Sequence, residues 1–163
     1  MVPAGWPALN QPAGRKNWPA WSMPPLIAGM CCNWNRKPAL TDKLAILLWA
    51  ATPDQPALCV TPLVHALAAR ALDAEVEIHF AGPAVRLLVT GVATRLFPTP
   101  NHEKSLGDFL DEASAEGVSL LACSMATAAW VEPDEQFLPG CSAAGATAFV
   151  ARSLDPAWRT LVY

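Results

Sequence analysis

Between Thr41 and Tyr163, short apolar runs take turns with stretches of helical periodicity, and that alternation restricts the fold more than any other feature. Residues 44–49 (Leu-Ala-Ile-Leu-Leu-Trp) form a continuous apolar run between Thr41-Asp42 and Pro53-Asp54, which suits a strand buried on both faces. Thr61-Pro62 reads as an N-cap followed by proline at the first helical position. Leu63, Val64, Leu67, Ala68 and Ala71 then recur at helical spacing, to an end near Leu72. Residues 75–80 alternate in the strand period and Gly82-Pro83 closes them. Residues 84–89 read as a short helix and 91–100 as loop. Residues 105–116 form an amphipathic helix with Leu106, Phe109, Leu110 and Ala113 on its apolar face, stopped by Gly117. A third buried strand, 118–122, enters the helical composition of 123–130 with no turn residue between them. After a proline-bearing loop, residues 143–154 read as another helix and 158–163 as a closing strand. Strands alternating with helices pair in parallel through right-handed crossovers. The expected fold is therefore α/β, a three-layer α/β/α sandwich around a mainly parallel sheet of about five strands.

The first forty residues do not share this pattern. They hold 7 of the 16 prolines and 4 of the 7 tryptophans. Proline fixes φ, removes a donor and restricts the residue before it, so neither regular helix nor central strand is expected there. Pro24-Pro25 interrupts the one apolar run that resembles a secretory leader. Residues 1–40 are read as a Pro/Trp-rich extension, disordered or preceding the natural start, and residues 41–163 as the folded domain.

Charge and cysteine usage exclude several function classes. After residue 40 the chain carries 7 basic against 14 acidic residues. That balance opposes the extended basic surface nucleic-acid binding needs, because neutralised phosphates supply most of that affinity. No run approaches the roughly 18 apolar residues of a membrane span. Five cysteines, Cys31, Cys32, Cys59, Cys123 and Cys141, are an odd number in a chain long enough to need no disulfide staples, which fits a reduced, cytoplasmic setting. They include no CxxC, and the three histidines stand apart, so neither a metal nor a cofactor site is expected. Walker, GxGxxG, GxSxG and HExxH patterns are absent from the sequence as well.

The chemistry is expected at the carboxyl ends of the strands, where loops and helix starts converge. Cys123 falls there, between the third strand and its helix. Unpaired backbone N–H groups at a helix start favour thiolate over thiol, with Ser124 and Met125 supplying the amides. The competing reading makes Cys123 a small core hydrophobe, as most free cysteines are. Cys59, placed by the sequence in the loop after the first strand, is an auxiliary candidate on the same edge. Cys141 has no evident partner. His65 and His79 read as hydrogen-bonded structural residues, and His102 as a loop residue beside Glu103.

The segment Gly117-Val-Ser-Leu-Leu-Ala-Cys-Ser-Met-Ala126, the opening Leu44-Ala-Ile-Leu-Leu with Thr61-Pro-Leu behind it, and Gly145-Ala-Thr-Ala-Phe-Val-Ala-Arg152 resemble the DsrE/DsrF-like family. The resemblance covers about residues 41–163. It implies a small parallel α/β protein assembling into homotrimers or homohexamers. It further implies a role in intracellular sulfur relay between donor and acceptor proteins, of the TusBCD or DsrEFH type. The family's sulfur-carrying cysteine maps onto Cys123, which implies a carrier or sulfurtransferase holding sulfur there as a persulfide. The alternative is a non-catalytic assembly or small-ligand-binding subunit of the same fold. Residues 1–40 match nothing in the family.

Overall fold

The apolar run after Asp42 is strand β1 (Lys43–Leu48) in the computed structural model, which describes residues 42–163. These belong to the unit Pro38–Tyr163 of a chain that divides in two. The expectations for residues 1–40, with Cys31 and Cys32, lie outside the described residues. After β1 come α1 (Pro56–Ala71), β2 (Glu75–Phe80), two 3-10 helices (Gly82–Leu88 and Ala93–Arg95) and α2 (Leu106–Ala115). Strand β3 (Ser119–Cys123), α3 (Ser124–Trp130), β4 (Ser142–Ala144), α4 (Ala146–Leu154) and β5 (Trp158–Val162) complete the domain. The five strands lie in the order β4-β3-β2-β1-β5, and every pair is parallel.

From β1 to β4 the chain steps in one direction across the sheet, and then it crosses to the far edge for β5. Right-handed crossovers therefore put α1, α2 and α3 over one face and α4 over the other. Val76, Ile78 and Phe80 alternate toward the first face, with Ile46, Leu48, Leu120 and Ala122 in register beside them. Against these pack Leu63 and Ala66 of α1 and Leu106, Leu110 and Ala113 of α2, all buried. Ser105 starts α2 with a reciprocal cap: its hydroxyl accepts from the Asp108 amide (3.1 Å), and the Asp108 carboxylate accepts from the Ser105 amide (2.8 Å).

The second face is built differently. Its central residues are Glu77 and His79, both nearly buried, and its cover is α4, none of whose residues is fully buried. Phe149 sets its ring edge-on to His79 at 5.3 Å. Arg152 donates from Nε and Nη2 to the two Glu77 oxygens, each at 2.9 Å, and lies over the Trp158 ring. Burial pushes the Glu77 carboxyl up, but the hydrogen bonds and charge of Arg152, joined by His79, outweigh it and hold Glu77 below its ordinary value. Burial holds His79 low, against the upward pull of Glu77.

Three local expectations need correction. Helix α1 begins at Pro56 rather than at Pro62, because Pro56 itself takes the first-turn position where a missing N–H costs nothing. Pro62 lies inside the helix, removing one backbone bond, and its ring is buried against the core. Residues 142–144 are a strand, not the start of a helix. They pair with Leu121, Ala122 and Cys123, whose backbone groups would otherwise form an open edge. The helix starts only at Ala146, after Gly145. Within 91–100, read as loop, Ala93–Arg95 forms a 3-10 turn. Gly82 opens the earlier 3-10 helix at φ 51°, and a Cβ there would stand 3.3 Å from the Trp49 carbonyl oxygen, so both conformation and space call for glycine.

Candidate functional site

Cys123 is the last residue of β3 and the N-cap residue of α3 at once, with extended backbone angles (φ −66°, ψ 121°). On one side it is held by register with Ala144 of β4. On the other, the Thr127 hydroxyl donates to the Cys123 carbonyl at 3.0 Å, tying the cysteine to the second turn of α3. Its thiol is free and half-buried, and it makes no capping bond to the helix. Strand alternation puts Cys123 on the face that carries Leu121 and His79, one row beyond them. Ser124 and Met125 follow it in the first turn, Met125 with 79% of its surface exposed, while Ala126 points into the core.

A cavity of about 210 Å³ adjoins this junction, lined by Ala122, Ser124, Thr127, Phe137, Cys141, Ser142 and Ala143. Cys141 thus enters the neighbourhood by way of β4, which sequence reading missed because 141–144 carries no periodic signal. Burial pushes the Cys141 thiol up. Cys141 stands three residues before Ala144, the partner of Cys123. At about 3.3 Å per strand residue their separation is on the order of 10 Å, beyond the roughly 7 Å a disulfide spans. Cys59 is not in a loop. It lies in the first turns of α1, fully buried, its thiol donating to the Thr52 and Gln55 carbonyls (3.3 and 3.6 Å). Burial pushes its pKa up to about 11, so the thiol form dominates at neutral pH. Cys59 is fully buried and Cys123 half-buried at the strand end, and both thiols are free.

The histidines are placed as well. His65 of α1 hydrogen-bonds Tyr163 through Nδ1. His79 belongs to the Glu77–Arg152 cluster, and His102, at φ 52°, stacks on Phe97. Among the described residues no three His, Cys, Asp or Glu side chains form a group able to hold a metal, and no helix is long and apolar enough to cross a membrane.

In parallel sheets the usual binding crevice lies where the strand order reverses. Here that point falls between β1 and β5, and the backbone fills it: Trp49 and Ala50 amides donate to the Tyr163 oxygen (2.9 and 3.2 Å), and the Tyr163 amide donates to Leu47. Half-buried Cys123 stands two strands away, at the end of β3.

An all-parallel sheet with a half-buried, free cysteine at a strand-to-helix junction defines a small thiol-bearing α/β domain. The model of the DsrE/DsrF-like family matches residues 43–163, about three quarters of the sequence, and the chain belongs to that family. Proteins of this family generally act in sulfur relay. Two solved structures share the fold. The YchN protein from E. coli is 13% identical, with a TM-score of 0.61 over 76% of this chain and 100% of that one. MTH1491 from Methanobacterium thermoautotrophicum, a protein of unknown function, is 15% identical, with a TM-score of 0.52 over 74% of this chain and 98% of that one. No curated protein matches the sequence.

Proposed function

We propose that this protein is a sulfur carrier that holds sulfur as a persulfide on Cys123, with residues 41–163 as the carrier domain. The observation that carries the reading is the position of Cys123: at the carboxyl end of an interior strand, half-exposed, its thiol uncommitted, in a chain of this family. Burial raises the Cys59 and Cys141 thiols above their ordinary values, which disfavours either as the carrier. In the reaction the Cys123 thiolate attacks the outer sulfur of a donor persulfide R–S–SH. The donor S–S bond breaks, R–S⁻ leaves, and Cys123–S–SH is formed for transfer to an acceptor thiolate by the same exchange. In this reading the Ser124 and Met125 amides, at the start of α3, serve as donors to the terminal sulfur.

Donor and acceptor proteins, a cytoplasmic setting and assembly into homotrimers or homohexamers belong to the same proposal. Exposed Trp130, Leu154 and Val162 support assembly, since their apolar surface is open in a single copy. The cavity lined by Ala122, Ser124, Thr127 and Cys141, to which Cys123 itself does not contribute, favours one competing reading, a small-ligand-binding subunit in which the cysteine is incidental. Mass spectrometry after incubation with polysulfide separates the two. Sulfur carriage predicts an added mass of about 32 Da on the Cys123 peptide and none in Cys123→Ser. Equal loading of that variant, or an unmodified Cys123 peptide, sinks the carrier reading. Native mass measurement reads the assembly, and a monomer at micromolar concentration would remove that part of the proposal.

A further inference from the structure

Helix α3 has seven residues, of which Ala126 is buried, and it packs against the 3-10 helix Gly82–Leu88. A side chain of that 3-10 helix also ties down the end of α3. Arg86, on the 3-10 helix Gly82–Leu88, donates from Nη1 to the carbonyl of Trp130, the last residue of α3, at 3.0 Å. The same guanidinium forks onto Glu135, Nη1 to Oε2 and Nη2 to Oε1 (2.9 Å). Glu135 in turn accepts from the Glu132 amide at 2.9 Å, which folds the loop after α3 back on itself. Backbone bonds reinforce the frame: Thr90 N–H donates to Gln136, and Leu138 N–H to Leu88, both at 2.8 Å.

At its other end, α3 is joined to Cys123 with no intervening residue, and Thr127 holds the Cys123 carbonyl. Two helical turns, about 10 Å long, thus connect Arg86 to the cysteine as a short rigid link. We infer that Arg86 is a positioning residue for Cys123: by holding the Trp130 carbonyl it sets the direction of α3, and with it the geometry in which the Cys123 sulfur meets its substrate. The inference rests on Cys123 as the reacting group. Arg86 itself touches no reacting atom. The Arg86 and Glu135 side chains are 30% and 24% exposed, so the pair is a partly solvated one whose loss leaves the core intact.

The test uses the full chain at a temperature well below its melting midpoint, with two readouts on Cys123: sulfur uptake from inorganic polysulfide, and alkylation by iodoacetamide. Labelling of buried Cys59 reports global opening. Arg86→Gln is expected to slow both reactions about tenfold, because small misplacements of a reacting group are expensive, while Cys59 stays unlabelled. Arg86→Lys keeps one donor for the Trp130 carbonyl without the fork, and recovers part of the rate. The exchange Arg86→Glu with Glu135→Arg restores an ion pair but places a carboxylate where Trp130 needs a donor. It is expected to regain the melting midpoint and stay slow. Rates for Arg86→Gln within about twofold of the parent, or full recovery in the exchanged pair, overturn the inference in favour of a purely structural ion pair. Should the parent take up no sulfur, the persulfide reading falls, and the alkylation series alone decides the role of Arg86. Should Arg86→Gln open globally, the lysine variant and the exchanged pair decide it.

Discussion

The two faces of the sheet are made from alternate residues of the same strands, yet they are held by different forces. Toward α1 and α2, β2 presents Val76, Ile78 and Phe80, fully buried against leucines and alanines. Toward α4, the same six residues present Glu77 and His79, and the contact is an ion pair with Arg152, 75 residues away, plus one aromatic edge. The first face is closed by non-directional apolar burial, which tolerates many partners. The second depends on a few directional bonds among groups that are costly to bury unpaired. Cys123 ends β3 half-buried, alternating toward the second face yet packed against the core cluster.

The comparison breaks most directly in the core. Phe80→Ala is expected to lose about 4 kcal/mol of unfolding free energy in a urea titration, from lost transfer energy and the cavity left behind. A loss below about 1 kcal/mol would mean that the first face is not the principal core. Arg152→Ala tests the second face. It strands the Glu77 carboxylate and should cost about 3 kcal/mol, near the low end for buried pairs because the Arg152 side chain is 37% exposed. Replacing both partners, Glu77→Gln with Arg152→Met, should return to within about 1 kcal/mol of the parent. If the double variant is as unstable as Arg152→Ala, directional bonding is not what holds α4.

Titration sharpens the contrast further. Cys59, under the first face, has its folded pKa raised from 9.0 to about 11. Its contribution is fully present below pH 9 and is lost as pH rises toward 11, at most about 2–3 kcal/mol by linkage. Thermal melts across that window should fall more steeply for the parent than for Cys59→Ala, and parallel curves would count against the buried-thiol account. On the second face His79 is depressed below its ordinary 6.5. The unfolded state takes up that proton first, so stability is present above pH 6.5 and erodes as pH falls below it, with depressed Glu77 adding its own loss below 4.5. His79→Gln should flatten the first part of this acid slope. This is the smallest of the four effects, read as the difference between melting midpoints at pH 7 and pH 5.5.

These contrasts also explain what was legible in the residues alone. Strand β2, the amphipathic α2 and the β3-to-α3 junction at Cys123 follow from periodicity and turn residues, which are local properties, while the Ser105 cap of α2 was not read. The start of α1 was misplaced because two prolines compete for the first-turn position, and Pro62 in the helix interior is tolerated only through its burial. Strand β4 was missed because Ser142, Ala143 and Ala144 have no strand signature of their own. Pairing with the last three residues of β3 makes them a strand. Histidine 79 was legible as a hydrogen-bonded residue, but its partner's partner, Arg152, was not.

By itself the sequence determined most of the alternation of strands and helices, the parallel α/β class and the place of Cys123 at a strand-to-helix junction, because apolar period and turn residues act within a few positions of one another. Tertiary structure alone decided which cysteines are reachable, that β4 completes the edge beside Cys123, and that Arg86 and Arg152 fasten α3 and α4. Those outcomes join residues 44 and 75 positions apart, and nothing in the local sequence around either partner encodes the other.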